Sequence, residues 1–266
     1  TVSTLVPVSA INLLENSASS SYQSGFVSAK RRFSRGLSFL ANYTFAKSLT
    51  DAPAFRSPAM ESEVPQNSFD LGSEWGLAGC DIRHRFVTSV VYQLPLSSRH
   101  AGGGLAGAIR YLAADWQLAV IEQVQSGFPF TAGVFGDTAN AGSLLNINPI
   151  RADVVAGASA ELPSGERSAS RWFNTAAFAV PRAFTFGSAG RNTLIGPSLH
   201  KTDVALERQF PLSEAKKIEF RGEFFNIFNR TNFGTPERFV NTPQFGTITM
   251  AATPARQIQL ALRLRF

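Results

Sequence analysis

The clearest pattern in the chain is alternation with a period of two. At the carboxy-terminal end Ile258, Leu260, Leu262, Leu264 and Phe266 occupy one parity, and Gln257, Gln259, Ala261, Arg263 and Arg265 occupy the other. Successive side chains of a strand point to opposite faces, so this segment predicts a strand with one apolar and one basic, polar side. A helical period would mix the two sets. The pattern recurs upstream. Leu37, Phe39, Ala41, Tyr43 and Phe45 alternate with Ser38, Leu40, Asn42, Thr44 and Ala46. Phe86, Thr88, Val90, Tyr92 and Leu94 alternate with Val87, Ser89, Val91 and Gln93, and Ile218, Phe220, Gly222 and Phe224 alternate with Glu219, Arg221, Glu223 and Phe225. Segments 22–33, 115–126 and 200–210 predict further strands, with short pieces near 9–14 and 245–250. The sum is roughly eight strands of about ten residues, the length a tilted strand needs to cross a bilayer.

The connections between these segments alternate in length. Ser34-Arg35-Gly36 predicts a tight hairpin with glycine available for a positive φ. A brief stretch around Pro211 joins the segments at 200–210 and 217–228. Long connections over about 47–82, 128–198 and 229–244 are rich in Gly, Pro, Ser, Asn and Ala. Structureless loops of that length are unusual in compact soluble domains. Short turns at one end and long loops at the other are the habit of outer-membrane barrels. The stretch 95–114 falls where a short turn belongs, and its Gly102-Gly103-Gly104 run predicts a flexible turn, with no strand-Gly-helix-Lys context to cradle phosphate.

Composition sharpens this picture. Charged residues are 17% of the 266, low against the roughly 25% of soluble domains. Phenylalanine is abundant, 23 residues against 4 Tyr and 3 Trp, which suits a lipid-facing surface with aromatic rims. The net charge of +6 is spread along the chain, and Lys30-Arg31-Arg32 is too short a cluster to carry nucleic-acid binding. No run of about eighteen apolar residues predicts a membrane helix. The sequence opens on Thr1 without the basic and apolar regions of a signal peptide, as a mature chain, a fragment or a soluble protein would. The lone Cys80 forms no internal disulfide, and His84, His100 and His200 lack metal-ligand spacing, so neither metal nor cofactor is expected.

Few residues read as catalytic, and the chain is not expected to be an enzyme. Asp81-Ile82-Arg83-His84-Arg85 gathers acid, base and positive charge, but it lacks a nucleophile and an orienting third group, so it reads as a polar rim where a strand leaves a loop. Glu219, Arg221 and Glu223 share one strand face and read as a charge ladder with neighbouring strands rather than a carboxylate pair. With Lys30, Arg32, Arg263 and Arg265 they form the candidate lumen-facing set, a wall suited to anionic ligands or to acidic residues of a plug. Glu122 breaks the scheme: it shares parity with Leu118, Val120 and Val124, so either it lies on the apolar face or a β-bulge flips its phase.

Six segments in this order resemble TonB-dependent outer-membrane receptors of the Oar-like type: Arg31 to Ala52, Asp81 to Pro95, Trp116 to Thr131, the loop pieces Arg171 to Pro181 and Gly187 to Pro197, Phe220 to Gly234, and Arg256 to Phe266. Glu122 and Gly25 depart from that pattern, where the family has apolar and larger apolar residues. The resemblance implies an all-β, antiparallel transmembrane barrel of the 22-stranded, plugged class. Residues 1–266 would be its carboxy-terminal arc with long extracellular loops, the last third or so of the wall. It further implies an upstream signal peptide, carboxypeptidase-regulatory-like domain and plug, with contact to the TonB complex made by that part. Ile258, Leu260, Leu262, Leu264 and Phe266 would be both the lipid-facing strand and the signal read by the barrel-assembly machinery. Two rivals remain. A self-contained small outer-membrane barrel with an adhesive or structural role needs only eight strands. A soluble β-sandwich would need short loops at both ends.

The parity of the last strand makes a measurable distinction. Arginine at a mid-membrane lipid position costs about 2–4 kcal/mol, against little on the lumen side. Leu262→Arg is therefore expected to reduce heat-resistant, membrane-assembled protein far more than Ala261→Arg, and equal effects would refute the assignment of faces.

Overall fold

Alternating segments of this length form one extended sheet because each strand can bury its backbone only against its neighbours. In the computed structural model, residues 15–52, 62, 64–97, 103–141, 149–213 and 215–266 are described. The strands are β1 (Ser20–Ser34), β2 (Leu37–Thr50), β3 (Gly76–Leu77), β4 (His84–Gln93), β5 (Gln117–Gln125), β6 (Pro129–Phe130), β7 (Asp153–Val154), β8 (Phe178–Ala179), β9 (Leu194–Ile195), β10 (Leu199–Pro211), β11 (Lys217–Phe225) and β12 (Gln257–Arg265). One helix, α1 (Gly104–Ala113), separates β4 from β5. Seven long strands run antiparallel in the order β1-β2-β4-β5-β10-β11-β12, with β3 added to the end of β2. Each is thus a sequence neighbour of the next once the loops are removed, and β1 and β12 form the two edges.

The register carries the two-face pattern from β2 to β12, while on the β1 edge Arg31 stands opposite Phe39 and Ser34 opposite Leu37. One row runs Leu37, Tyr92, Leu118, Leu206, Gly222, Leu260, and the next runs Phe39, Val90, Val120, Val204, Phe224, Ile258. Every member of these rows is apolar or aromatic, and glycine takes one position. The reverse face of the same strands carries Asn42, Gln123, Lys201, Asp203, Glu223 and Gln259. Between Arg31 and Ser34 the β1–β2 register shifts, just before the turn. Arg35 and Gly36 both have positive φ, 51° and 77°, which matches the twist of a two-residue hairpin. A side chain at Gly36 would sit 2.8 Å from the Gln93 carbonyl oxygen, so the turn also needs glycine for close approach to β4.

Three expectations change. The pieces near 9–14 and 245–250 were candidate strands; the first lies outside the described residues, and the second is a turn, with Gly246 at φ 81°. In the stretch 95–114, of which 98–102 lie outside the described residues, Gly103 caps and Gly104 begins the ten-residue helix α1 where a flexible turn was expected. The described residues of the long connections are not structureless either. They fold together into a cap at one end of the sheet.

That cap holds the main hydrophobic cluster of the described residues. Phe130, Ala132, Ala152, Phe173, Ala177, Phe178, Ala189 and Leu194 are buried together, with Trp172, Val240 and Phe245 against them. Phe173 is the hub: its ring lies 5.8 Å from Phe130, 5.9 Å from Phe178 and 5.1 Å from Phe245, tilted or edge-on. Such geometries set the positive ring edge against the negative face. Small alanines between the rings let backbones approach. The tightest approaches are Gly127 against the Gly196 carbonyl and Gly187 against the Arg151 carbonyl, where a Cβ would overlap the oxygen.

Candidate functional site

The polar face of the sheet is laced by charge pairs between residues two apart or on adjacent strands. Lys201 Nζ lies 2.7 Å from Asp203 Oδ2, Arg221 Nη2 lies 2.8 Å from Glu223 Oε1, and Arg265 Nη2 lies 3.0 Å from Glu219 Oε2. Glu219 also stands opposite Arg263 in the β11–β12 register. Lys217 donates to Gln209 across β10 and β11 at 2.9 Å. Lys30 stands opposite Leu40 near the β1 edge, and Arg32 falls in the register shift beside it. Of Glu219, Arg221 and Glu223, Glu219 thus has a charged partner across strands, Arg265 of β12, while Arg221 and Glu223 pair with each other within β11. Lys30 and Arg32 lie at the far edge of the sheet, four strands away from β10.

At the loop end this face opens into a groove of ≈ 390 Å³ lined by Tyr22, Thr44, Ser48, Asp81 and Arg85, with Cys80 beside them. Asp81 is buried there for a structural reason: its Oδ1 accepts the Ser48 backbone N–H at 2.6 Å and fixes the segment that runs along β2. His84 turns away onto the apolar face, where Nδ1 meets the Tyr43 hydroxyl at 2.8 Å and the ring lies 5.1 Å from Phe45. Arg83 covers the Phe45 ring. The residues from Asp81 to Arg85 thus divide at the start of β4: Asp81, Ile82 and Arg85 line the groove, and Arg83 and His84 pack on Phe45.

Above the groove the cap is tied down by buried arginines. Arg191 donates to the carbonyls of Thr50, Ala52 and Glu74 at 2.7–2.8 Å, binding the second long connection to the first. Arg151 pairs with Glu74 at 3.4 Å and donates to the Ser73 carbonyl at 3.2 Å. Gln66 completes the set: Glu74 Oε1 accepts its backbone N–H, its side-chain amide donates to the Gly187 carbonyl, and its Oε1 accepts the Arg151 backbone N–H. Burial lowers the Arg151 pKa from its ordinary value; Glu74 opposes that shift and Arg191 adds to it. Asn192, at φ 55°, donates to the Leu77 carbonyl and exchanges hydrogen bonds with Thr131. A cavity of ≈ 30 Å³ between Glu74, Arg151, Arg191 and Arg238 has room for about one water.

A family model described as an outer membrane beta barrel domain matches residues 2–259. The chain belongs to that family. No curated protein matches it significantly. The barrel domain is accordingly an antiparallel outer-membrane wall, and its sites are read on that frame.

Glu122 of the barrel domain lies on the apolar face without any bulge, since β5 pairs in unbroken register with β4 and β10. Its charge is met locally. Thr202 Oγ1 donates to Glu122 Oε2 at 2.5 Å, His200 Nε2 lies 2.5 Å from Oε1, and Arg230 reaches His200 Nδ1 from the following loop. The cluster sits at the loop end of the strands, so the bulge alternative falls. The cap residues Gln66, Glu74, Arg151, Arg191 and Asn192 escaped the sequence reading. They lie in aperiodic segments, and their partners are up to 141 residues away.

The Glu74–Arg151 pair is the place to test the cap. Removing one partner of a buried pair costs about 3–5 kcal/mol because the other charge is left uncompensated. Glu74→Gln is expected to make the cap cleavable by external protease on whole cells while the heat-modifiable barrel band persists. Wild-type protease resistance in this variant would remove the pair from the cap's stability.

Proposed function

We propose that the chain is the carboxy-terminal wall of a TonB-dependent receptor, taking up a ligand through a plugged barrel beneath its folded loops. In this reading the apolar face, including Ile258, Leu260, Leu262 and Leu264, meets lipid. The polar face, including Lys30, Arg32, Glu219, Arg221, Glu223, Arg263 and Arg265, meets the lumen. The observation that carries it is the union of a charge-laced face with a self-supporting cap over its mouth: a passive adhesin needs neither. The six ordered segments that resemble Oar-like receptors favour this class over other outer-membrane barrels. The remainder of the wall pairs with the β1 and β12 edges, the plug fills the lumen, and the TonB complex acts through the plug side. No chemical step is assigned to any residue.

The edges supply the energetic argument. In hydrocarbon each unpaired backbone group costs several kcal/mol, so β1 and β12 must be paired. The seven long strands of the described residues, spread as an arc, fit a larger closed wall; the second reading, a small closed barrel, needs at least eight. The purified 266-residue chain refolded in detergent is expected to give no compact, heat-modifiable monomer on an unheated gel and no stable conductance in a planar bilayer. A compact monomer with stable pores would overturn the receptor reading in favour of the small barrel.

Phe266 follows directly on β12 and is 93% exposed. In the proposed role it is the terminal aromatic recognised by the assembly machinery. Deleting Phe266 from the intact protein is expected to lower its outer-membrane level on fractionation, and an unchanged level would refute that role.

A further inference from the structure

Arg208 is the anomaly from which the inference starts. It lies on the apolar face of β10, in the row of Phe220 and Leu262, yet it is only 2% exposed. Helix α1 covers it. Arg208 Nη1 donates to the Leu112 carbonyl at 2.5 Å, and its guanidinium lies 4.9 Å from the Tyr111 ring and 4.2 Å from the Phe210 ring. Trp116 Nε1 donates to the same Leu112 carbonyl at 2.8 Å. The helix C-terminus carries partial negative charge and free carbonyls, so a cation and an indole N–H hold it there. The helix is thereby docked onto the outside of the apolar wall.

Its sequence divides into three stripes at i, i+4, i+7 spacing. Gly107, Tyr111 and Ala114 face the wall: Gly107 and Ala114 are buried and Tyr111 is half-buried. Ala106, Arg110 and Ala113 form a second stripe, with the helix's only charge. Leu105, Ile109 and Leu112 form the third and remain 79%, 59% and 60% exposed. Three large aliphatic side chains point away from the protein on a ten-residue helix that would be marginal by itself in water. On the helix's inner side Tyr111 and, just past the helix, Trp116 pack on Phe210 of the apolar face, ring centroids 6.4–6.5 Å apart, so the helix lies against the apolar wall with its aliphatic stripe turned outward. The helix joins β4 to β5 at the same end of the sheet as the Arg35-Gly36 turn and the 212–216 turn. In outer-membrane barrels that end is periplasmic.

We propose that α1 is an interfacial helix, its Leu105–Ile109–Leu112 stripe seated in the periplasm-facing phospholipid leaflet of the outer membrane and its Arg110 stripe turned to the headgroups and water. This rests on the reading that the apolar face meets lipid. Helices of this kind bury the apolar side about 5–10 Å into the headgroup and acyl boundary. Docked so, α1 shields Arg208 from hydrocarbon, satisfies its own last turn, and fixes the height of the wall in the bilayer.

The test is site-directed spin labelling of the intact protein in outer membranes, with Cys80→Ser and any other cysteine replaced by serine. Nitroxides are placed at Leu105→Cys, Ile109→Cys, Ala106→Cys, Ala113→Cys and, on the sheet, Leu262→Cys. Collision with oxygen, which concentrates in lipid, is compared with collision with a water-soluble nickel chelate. Labels at 105, 109 and 262 are expected to favour oxygen, and labels at 106 and 113 the chelate. If 262 favours oxygen while 105 and 109 favour the chelate, the helix inference fails and the face assignment stands. If 262 also favours the chelate, the face assignment itself fails. Dipolar broadening between labels at 109 would mean that a second copy of the chain, not lipid, covers the stripe, and would overturn the proposal.

Discussion

A strand that crosses hydrocarbon must give every backbone N–H and C=O to a neighbouring strand, because lipid offers neither donor nor acceptor. The regularity of this sheet follows from that. β2, β4, β5, β10, β11 and β12 pair in unbroken register over their shared lengths. The one register shift lies beside the β1–β2 turn, and Pro211, which has no N–H to give, is the last residue of β10. Irregular backbone is driven out of the wall into the loops, where it must find partners by other means. There, side chains substitute for the missing ladder: Arg191 alone occupies three carbonyls, and Asn192, Gln66 and Asn226 each bridge segments distant in the chain.

This division decides what the sequence could reveal. A membrane wall has two solvents, one on each face, so its strands are written as strict alternation, and all seven long strands of the described residues were legible with end errors of a few residues. The same rule made the apolar position of Glu122 visible, though not its partners. The cap obeys no period. Its core is made from single phenylalanines and alanines scattered between turns, joined by contacts such as Gln66 to Gly187 across 121 residues. The alternation near 245–250 was misleading for the same reason: Ile248 is buried and its N–H bonds to the Ala169 carbonyl, while Gly246 turns the chain, so the spacing reflects cap packing rather than a ladder. Helix α1 was hidden by its glycines, which depress helix propensity by about 1 kcal/mol each relative to alanine. Its reason for existing, Arg208, lies almost a hundred residues further along the chain.

Glu122 and Arg208, charges set among the apolar rows of β5 and β10, obey a common logic. Neither is left to face lipid alone. Glu122, near the loop end, is satisfied within the plane of the wall by Thr202 and His200, with Arg230 reaching down from the loop. Arg208, toward the short-turn end, is satisfied from outside the wall by a helix laid over it. Between them the row through Phe39, Val90, Val120, Val204 and Ile258 carries no charge from β2 to β12; its one charge is Arg31 on the β1 edge, which donates to the Ser34 carbonyl beside the hairpin turn. Isolated ions in hydrocarbon are costly, and the cost falls toward the interfaces, so charged exceptions are tolerated at the two rims and excluded between. The distribution of exceptions therefore marks the same band that the aromatic rims mark, with Tyr43, Phe45 and His84 at one end and Trp116, Phe210 and Tyr111 at the other. Two independent features, where aromatics gather and where charges are permitted, thus bound one apolar belt. A basic residue introduced inside that belt, at a position with no helix to cover it, would have neither of the two remedies the wall already uses.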